Sequence, residues 1–463
     1  MRVVVVGGGI TGLAAGLFLG RRGHRVTVLE REPRPLGPDL DAEFTRLRPR
    51  VPQAVQPHSL LAPVRTVLRT EAPDVYAELL RRGATEWHEF DWFGEHPPAR
   101  AGDDELVTVR GRRILLEAAL TAAVQQQADL TLRHGAEVTG LLMDGQQVTG
   151  VGLAGGEALG ADLVVDAAGR RSPVPALLAA AGTRPPVVEN HRTGIAYFCR
   201  WYRLRPDAPA SPGRVRAGAA TPFASGGVFP GDNGWFAVAL TVGSTDPTRT
   251  ALRDPAVFER LARTFTGCAD WLALPHDPVG PVRAMAGLDN RWTSLVDARG
   301  PVATGLLSIG DSLVHLNPTH GQGIPLGFRA AQWLAHHAGP ADAGLSTGFH
   351  RWALAELRPW FDGQVAADLA FERELTERGA AAPLPDAPAT VRSALPWCAL
   401  EDPQVMRARA QVRHLVRPAA EAYADPAVQD RVSRWLADRP GFRPPADGPT
   451  RDRWERLAAA TAT

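Results

Sequence analysis

Three glycines, Gly7, Gly9 and Gly12, stand in G-x-G-x-x-G spacing after the β-branched run Arg2–Val6, and Glu30 closes a second apolar run, Arg25–Leu29. Residues of these types in this order, strand, glycine turn, helix, strand, acid, bind a dinucleotide. Gly7 permits the tight turn, Gly9 lets backbone N–H groups approach a pyrophosphate, and Gly12 allows close packing of helix on strand. The helix Leu13–Arg22 would turn the partial positive charge of its N-terminus on the phosphates. Glu30 can accept hydrogen bonds from a ribose diol and would repel a 2′-phosphate. These residues leave NAD and FAD equally open.

Two later stretches carry related chemistry. The strand beginning at Asp162 ends on Asp166, with Gly169 just beyond, which would bring a carboxylate and a bare backbone close to a cofactor. In Gly310-Asp-Ser-Leu-Val-His-Leu-Asn-Pro-Thr-His-Gly-Gln-Gly323, Asp311 at a strand end can hydrogen-bond a chain of sugar-like hydroxyls. Pro318 and the Gly321–Gly323 turn lead into the next helix, whose amide dipoles could face a delocalised anion. His58, His315 and His320 are the candidate catalytic groups, against the commoner alternative of a structurally satisfied histidine for each. Arg50 can reach a ribose or pyrophosphate or remain an exposed loop arginine.

Composition bounds the rest. A chain of 463 residues implies two or three domains, and 44% hydrophobic with 22% charged residues is globular. A net charge of +1 gives no field to recruit nucleic acid or an anionic membrane. The basic residues are all arginine. Cys199, Cys268 and Cys398 lack metal-ligand spacing and are expected to be reduced, and no metal is expected. The chain starts directly on its first strand, and no apolar run approaches a membrane span, so a cytoplasmic location is expected.

The elements that must position these residues follow from periodicity. Gln53–Leu61 and Val64–Arg82 are predicted to be helices, Glu86–Phe93 a strand, and Ile114–Gln127 an amphipathic helix after Gly111-Arg112-Arg113. Residues from about 185 to 290 change to short strands with scattered aromatics, and from Phe328 onward the pattern is helical. The expected fold is an α/β, Rossmann-like, glutathione-reductase-type domain carrying an inserted sheet-based substrate domain and a helical C-terminal region. The cofactor domain takes residues 1–84, 106–184 and 296–342, the substrate domain 85–105 and 185–295, and the helical region 343–463. Trp92, Tyr197, Trp201 and Trp235 are candidate pocket walls, with core packing the alternative for each.

In motif order and spacing the sequence resembles the FAD-dependent aromatic-hydroxylase and epoxidase superfamily, over about residues 1–340. Gly7/Gly9/Gly12 with Glu30, Asp166/Gly169, and Gly310-Asp311 with Pro318/Gly321/Gly323 carry the resemblance. Arg50-Val-Pro-Gln53…His58-Ser-Leu-Leu61 and Ile309–Pro318 are similar to a subgroup of bacterial epoxidases and hydroxylases of natural-product pathways. The resemblance implies FAD, with Asp311 on the ribityl chain, Gly321–Gly323 at the flavin pyrimidine edge, and Arg113 and Val138 among the cofactor contacts. It also puts the Gln53–Leu61 segment, and so His58, near the cofactor. One departure is His315, four residues after Asp311 where many members have histidine three after.

The chemistry so implied is oxygen transfer from a C(4a)-hydroperoxide of reduced flavin to an apolar small molecule, with the protein holding substrate and excluding water. Reducing equivalents would come from NAD(P)H docking transiently or from a separate flavin reductase, since no second nucleotide fingerprint appears. Flavin halogenases rely on a lysine that this chain lacks, and no W-x-W-x-I-P run occurs. An FAD-dependent dehydrogenase or double-bond reductase remains open, as does a non-catalytic flavin-binding protein.

Overall fold

The protein is described by a computed structural model that defines all residues except 47, 49, 379–388, 446 and 461–463, and the side chains of 374–378 are set aside with them. The opening unit is β1 (Arg2–Val6), α1 (Ile10–Gly20) and β2 (Arg25–Glu30). Four consecutive valines bury β1 on both faces, the environment of a parallel strand covered on each side. α2 (Ala62–Glu71), α3 (Pro73–Arg81) and α4 (Arg113–Gln126) follow, then β3 (Leu130–His134) and β4 (Leu163–Asp166). β5 (Ile195–Leu204), β6 (Ala224–Pro230), β7 (Trp235–Gly243) and β8 (His276–Met285) belong to a separate antiparallel sheet. The chain then returns through β9 (Leu306–Ser308).

The parallel sheet has the order β9-β4-β1-β2-β3. Its registers place Val6, Glu30, His134, Asp166 and Ser308 at one edge, because Val6 pairs with Leu29 and Asp166, Glu30 with His134, and Ser308 with Asp166. All strands run the same way, so the loops after β1, β2, β4 and β9 emerge together. Ligands of open α/β sheets bind at this carboxyl edge, where the strand order reverses. That geometry unites motifs hundreds of residues apart.

The antiparallel sheet runs Gly218–Ala220, β6, β7, β5, β8. Alternation along β5 divides its side chains. Phe198 and Tyr202 join Phe236, Phe258, Phe265 and Trp454 in a core on one face. Tyr197 and Cys199 join Ala239 and Leu288 on the other. That second face meets the segment after Pro52: Cys199 Sγ–H donates to Gln56 Oε1 (2.9 Å) and Trp201 Nε1–H to Val55 O (2.8 Å).

The C-terminal part adds α5 (Gly323–His337), α6 (Arg358–Arg378), α7 (Pro403–Arg413) and α8 (Arg451–Ala459). Arg407 on α7 forks onto Asp103 at 2.6 and 2.8 Å, and Phe90 and Leu106 enter the core of these helices. No described helix is long and apolar enough to cross a membrane. The three cysteines are buried and unpaired.

Three predicted elements differ from the structure. Only Pro52–Val55 of the expected Gln53–Leu61 helix forms, as a single 3-10 turn, because Gln56 precedes Pro57 and is pushed into extended backbone (φ −84°, ψ 151°). The Val64–Arg82 helix is broken into α2 and α3 at Ala72 (φ −151°), the residue before Pro73. The Glu86–Phe93 strand ends at His88, whose ring accepts from Phe90 N–H while Asp91 accepts from His88 N–H. This reciprocal cap turns Glu89–Phe93 into a 3-10 helix.

His414, just past α7, is fully buried and ties the C-terminal helices to α2. Its Nδ1 accepts from Ala62 N–H (3.1 Å), so Nε2–H donates to Glu89 Oε1 (3.0 Å). Burial lowers the His414 pKa below 6.5. For Glu89, burial acts to raise the value, but Arg413 and His414 outweigh it and bring the carboxyl from 4.5 to about 2. The unfolded chain therefore takes up protons first, at His414 below pH 6.5 and at Glu89 below 4.5. Stability is full above pH 6.5 and falls as pH drops. His414→Gln keeps one donor and one acceptor without titrating, so denaturant midpoints of this variant should change less between pH 6.5 and 4.5 than those of the parent.

Candidate active site

The first wall is the turn from β1 into α1. Gly7 has φ +108°, and a Cβ there would lie 2.5 Å from Ala167 O; a Cβ on Gly12 would lie 1.9 Å from Gly7 O. Both glycines are required for packing. A Cβ on Gly9 would meet nothing within 4 Å, so that residue faces open space in front of α1. No side chain caps α1, which leaves its first amides turned outward. Gly8 was not singled out in the sequence, yet its N–H donates to Glu30 Oε2 (2.9 Å), and a Cβ on it would lie 2.7 Å from Glu30 Cβ. Glu32 N–H donates to Glu30 Oε1 (2.7 Å), which fixes the carboxylate at the end of β2. Arg50 reaches the same corner and donates to Arg31 O. Val138 packs with Val6, Leu29 and Ala136 in the core behind it.

The second wall is formed by β9 and α5. Gly310 (φ +59°) and Gly327 admit Thr11 of α1, whose atoms lie 3.0 and 2.5 Å from the Cβ positions those glycines lack. Gly321 (φ +66°) turns the chain over Ser59, next to His58. α5 has no side-chain cap, and Gly323 lies against Asp311, whose Oδ1 is 3.4 Å from the Cβ position. Uncapped amides of two helices thus converge on the edge where the motif loops meet.

Charge fills the space between the walls. Arg113 opens α4, is buried and lies 3.5 Å from Glu117 Oε2, while Arg48 pairs with Glu117 Oε1 at 2.7 Å. Arg113 Nη1 and Arg48 Nε are buried without a hydrogen-bond partner. Burial and the Arg48 charge lower the Arg113 pKa, with Glu117, Asp311 and Glu30 opposing. For Asp311, burial would raise the pKa, but the adjacent His315 and the Arg113 charge hold it below the usual carboxylate value. His58 is brought down to about 4 by burial and by Arg113. It is neutral at pH 7, and because Nδ1 faces Gln56 O (2.8 Å) the proton sits there and Nε2 carries a lone pair. His315 lies between two acids, with Nδ1 3.2 Å from Asp311 Oδ2 and Nε2 3.7 Å from Asp289 Oδ1.

Several expected site residues have other duties. Asp166 does not face a ligand: its buried carboxylate accepts from Ser172 Oγ (2.8 Å), Ser312 Oγ (3.0 Å), Ala168 N–H (3.1 Å) and Ser308 Oγ (3.2 Å). It fastens the ends of β4 and β9, and Gly169 N–H joins through Ser312 Oγ (2.8 Å). Trp92 is not a pocket wall either, since its Nε1–H donates to Leu400 O (3.0 Å) and its ring packs with the C-terminal helices. Trp201 and Trp235 pack edge-on against Phe44, and Arg112 lies over Trp235. They form a seam between the two sheets, the core-packing alternative. Tyr197 alone of the four belongs to the apolar cluster with Cys199, Ala239 and Leu288. Pro318 starts the short Pro318–His320 turn, in which Asn317 accepts from Thr319 N–H (3.0 Å) and His320 faces Gln364.

A dinucleotide fits these residues. Arg113 Nη1, which makes no hydrogen bond, the uncapped α1 amides and the open space at Gly9 suit a pyrophosphate, Glu30 a ribose, and Asp311 with the uncapped α5 a polar, electron-rich second half.

Comparison with known proteins agrees with this site. Residues 2–102 match the family described as FAD dependent oxidoreductase. The match covers the N-terminal segment of the chain. Among curated proteins, Protein Rv3254 of Mycobacterium tuberculosis is 29% identical over 217 residues, a match that spans 46% of this chain and 41% of the relative. The chain thus covers less than half the length of that relative. Among solved structures, the Diels-Alderase PyrE3 of the biosynthetic pathway of pyrroindomycins shares the fold with TM-score 0.59 and 17% identity, over 90% of this chain and 80% of that one. PqsL of Pseudomonas aeruginosa, described as a probable FAD-dependent monooxygenase, gives TM-score 0.57 and 18% identity, over 81% of this chain and 97% of that one. The shared fold is a Rossmann-like parallel sheet with antiparallel sheets and a helical C-terminal region.

Proposed function

We propose that the protein is a flavin-dependent monooxygenase that hydroxylates or epoxidises an apolar small molecule, an intermediate of natural-product biosynthesis. One observation carries the reading. The apolar face of the antiparallel sheet, with Tyr197, Cys199, Ala239 and Leu288, adjoins the Asp311–Gly323 loop through Asp289, the residue after Leu288, which faces His315. An apolar face beside a flavin site suits an apolar substrate held against the cofactor and away from water. The fold shared with PqsL, and the pathway role of PyrE3, support the same reading.

In this reading Gly7, Gly9 and Gly12 and the α1 amides, with Arg113 and Arg48, bind the pyrophosphate of FAD. Glu30 binds its ribose, with Arg50 alongside, and Asp311 binds the hydroxyl chain. The α5 N-terminus stabilises negative charge on the ring without reorganising. The flavin, once reduced by NAD(P)H or by a partner reductase, supplies the oxygen-activating chemistry. His58, neutral with Nε2 free, can accept a proton or a hydrogen bond, and His315 orients Asp311.

The experiment is oxygen uptake by FAD-loaded protein, with NAD(P)H or a flavin reductase, against polycyclic aromatic, terpenoid and indole compounds. The expected products are heavier by one oxygen atom, drawn from labelled O2. Products lacking two hydrogens and carrying no label would identify a dehydrogenase instead.

A further inference from the structure

Far from the motifs, α6 sends Gln364 and Asp368, one turn apart, toward the Asn317–His320 loop. Asp368 Oδ1 accepts from Gln364 Nε2 (3.0 Å). Asp368 Oδ2 accepts from Asn290 Nδ2 (2.5 Å) and Asn317 Nδ2 (2.6 Å). Asn290 Oδ1 in turn accepts from Asn317 N–H (2.8 Å). Asn290, Asn317 and Gln364 are at most 2% exposed. Each amide has its orientation set by a partner that can only donate or only accept, and such a buried network is rigid when fully satisfied.

The consequence falls on His320. Gln364 spends its N–H on Asp368, so Oε1 is the atom that meets His320 Nδ1, at 2.5 Å, and it can only accept. In the neutral ring Nδ1 therefore carries the proton and Nε2 the lone pair. His320 is exposed, and its Nε2 has no hydrogen-bond partner among the described residues. Along the same face of α6, Phe371 packs against the cluster of Tyr197, Cys199 and Leu288. Seven residues of helix separate Gln364 from Phe371, a rise of about 10 Å. One helix thus spans from the oriented histidine to the apolar cluster. At that end lies the Tyr197 hydroxyl, which burial keeps protonated.

We propose that Gln364 and Asp368 are positioning residues that hold His320 with its Nε2 lone pair toward the substrate, and that the substrate is an extended apolar molecule presenting an O–H or N–H donor to it. The reading rests on the proposed monooxygenase only in calling the ligand a substrate.

Two measurements on the oxidised, FAD-loaded protein test it without turnover, so failure of the monooxygenase reading leaves their outcomes standing. The first is two-bond 15N–1H correlation on protein labelled at histidine, with the His320 signals identified by their loss in His320→Gln. The expected pattern is Nδ1–H in the parent, retained in Gln364→Glu, which keeps an acceptor, and lost in Gln364→Leu. An Nε2–H pattern in the parent, or no change in Gln364→Leu, overturns the positioning role. The second is titration with 2-naphthol and with naphthalene, followed by flavin fluorescence. The donor-bearing probe should bind about tenfold tighter, the worth of one hydrogen bond, and the difference should vanish in His320→Phe. Equal affinities, or no binding of either probe, overturn the assignment of the ligand's donor.

Discussion

Asp311→Ala is expected to emerge from purification colourless, with FAD affinity weakened by about 10- to 150-fold, the equivalent of losing a charged hydrogen bond of about 1.5–3 kcal/mol. Asp311 lies at the end of β9 against the first turn of α5, and Arg113 with the adjacent His315 keeps it ionised despite burial. An ionised acceptor at the mouth of an uncapped helix binds hydroxyls of the cofactor's second half far better than a neutral one. Equilibrium titration of apoprotein with FAD measures the loss, and circular dichroism shows whether the fold survives. A yellow variant with parental affinity would mean that the hydroxyl chain binds elsewhere.

Asp232→Ala is expected to be the most destabilising single change, by about 3–5 kcal/mol, because it strands a buried guanidinium. Arg112 is 2% exposed and Asp232 fully buried. Arg112 donates to Asp232 from its backbone N–H (2.8 Å), Nε (3.0 Å) and Nη2 (2.7 Å), and to Asp41 from Nη2 (2.7 Å). It also lies 4.1 Å from the Trp235 ring centroid. The pair joins the residue before α4 to the loop between β6 and β7, and so clamps the antiparallel sheet to the cofactor region. Removing both charges in Arg112→Met/Asp232→Leu should cost less than removing one, since a buried pair replaced by apolar residues leaves no orphan charge. Urea midpoints of the single and double variants measure this. A single variant within about 1 kcal/mol of the parent would place the pair among exposed, weak ion pairs.

The adjacent arginines show what the sequence can and cannot disclose. Arg112 and Arg113 are chemically alike and adjacent, yet one straps two sheets together and the other faces the cofactor edge. Only the turn into α4, which swings them to different sides, decides which does which. The glycine motifs were legible because they act through local backbone: Gly7, Gly12 and Gly310 are demanded by contacts that any reading of G-x-G-x-x-G and Gly-Asp implies. Asp166 looked identical to a ligand-facing acid, but the serines that satisfy it come from β9 and from the turns after β4 and β9, and no local pattern pairs them with it. The helices misjudged at Gln53–Leu61 and Val64–Arg82 were broken by Pro57 and Pro73, a signal present in the sequence and outvoted by periodicity. Asp368 and Gln364 gave none, because they lie beyond every motif and far along the chain from their partners on the Pro318 loop.

The central claim, that reduced flavin in this site turns oxygen toward a substrate, is tested most directly by stopped-flow spectroscopy. FAD-loaded protein is reduced anaerobically, mixed with oxygenated buffer, and followed until the oxidised spectrum returns. Two phases are expected, with a transient whose spectrum differs from both reduced and oxidised flavin forming before the oxidised bands recover. Direct, single-phase return to oxidised flavin with release of peroxide, unchanged by any apolar ligand, would contradict it.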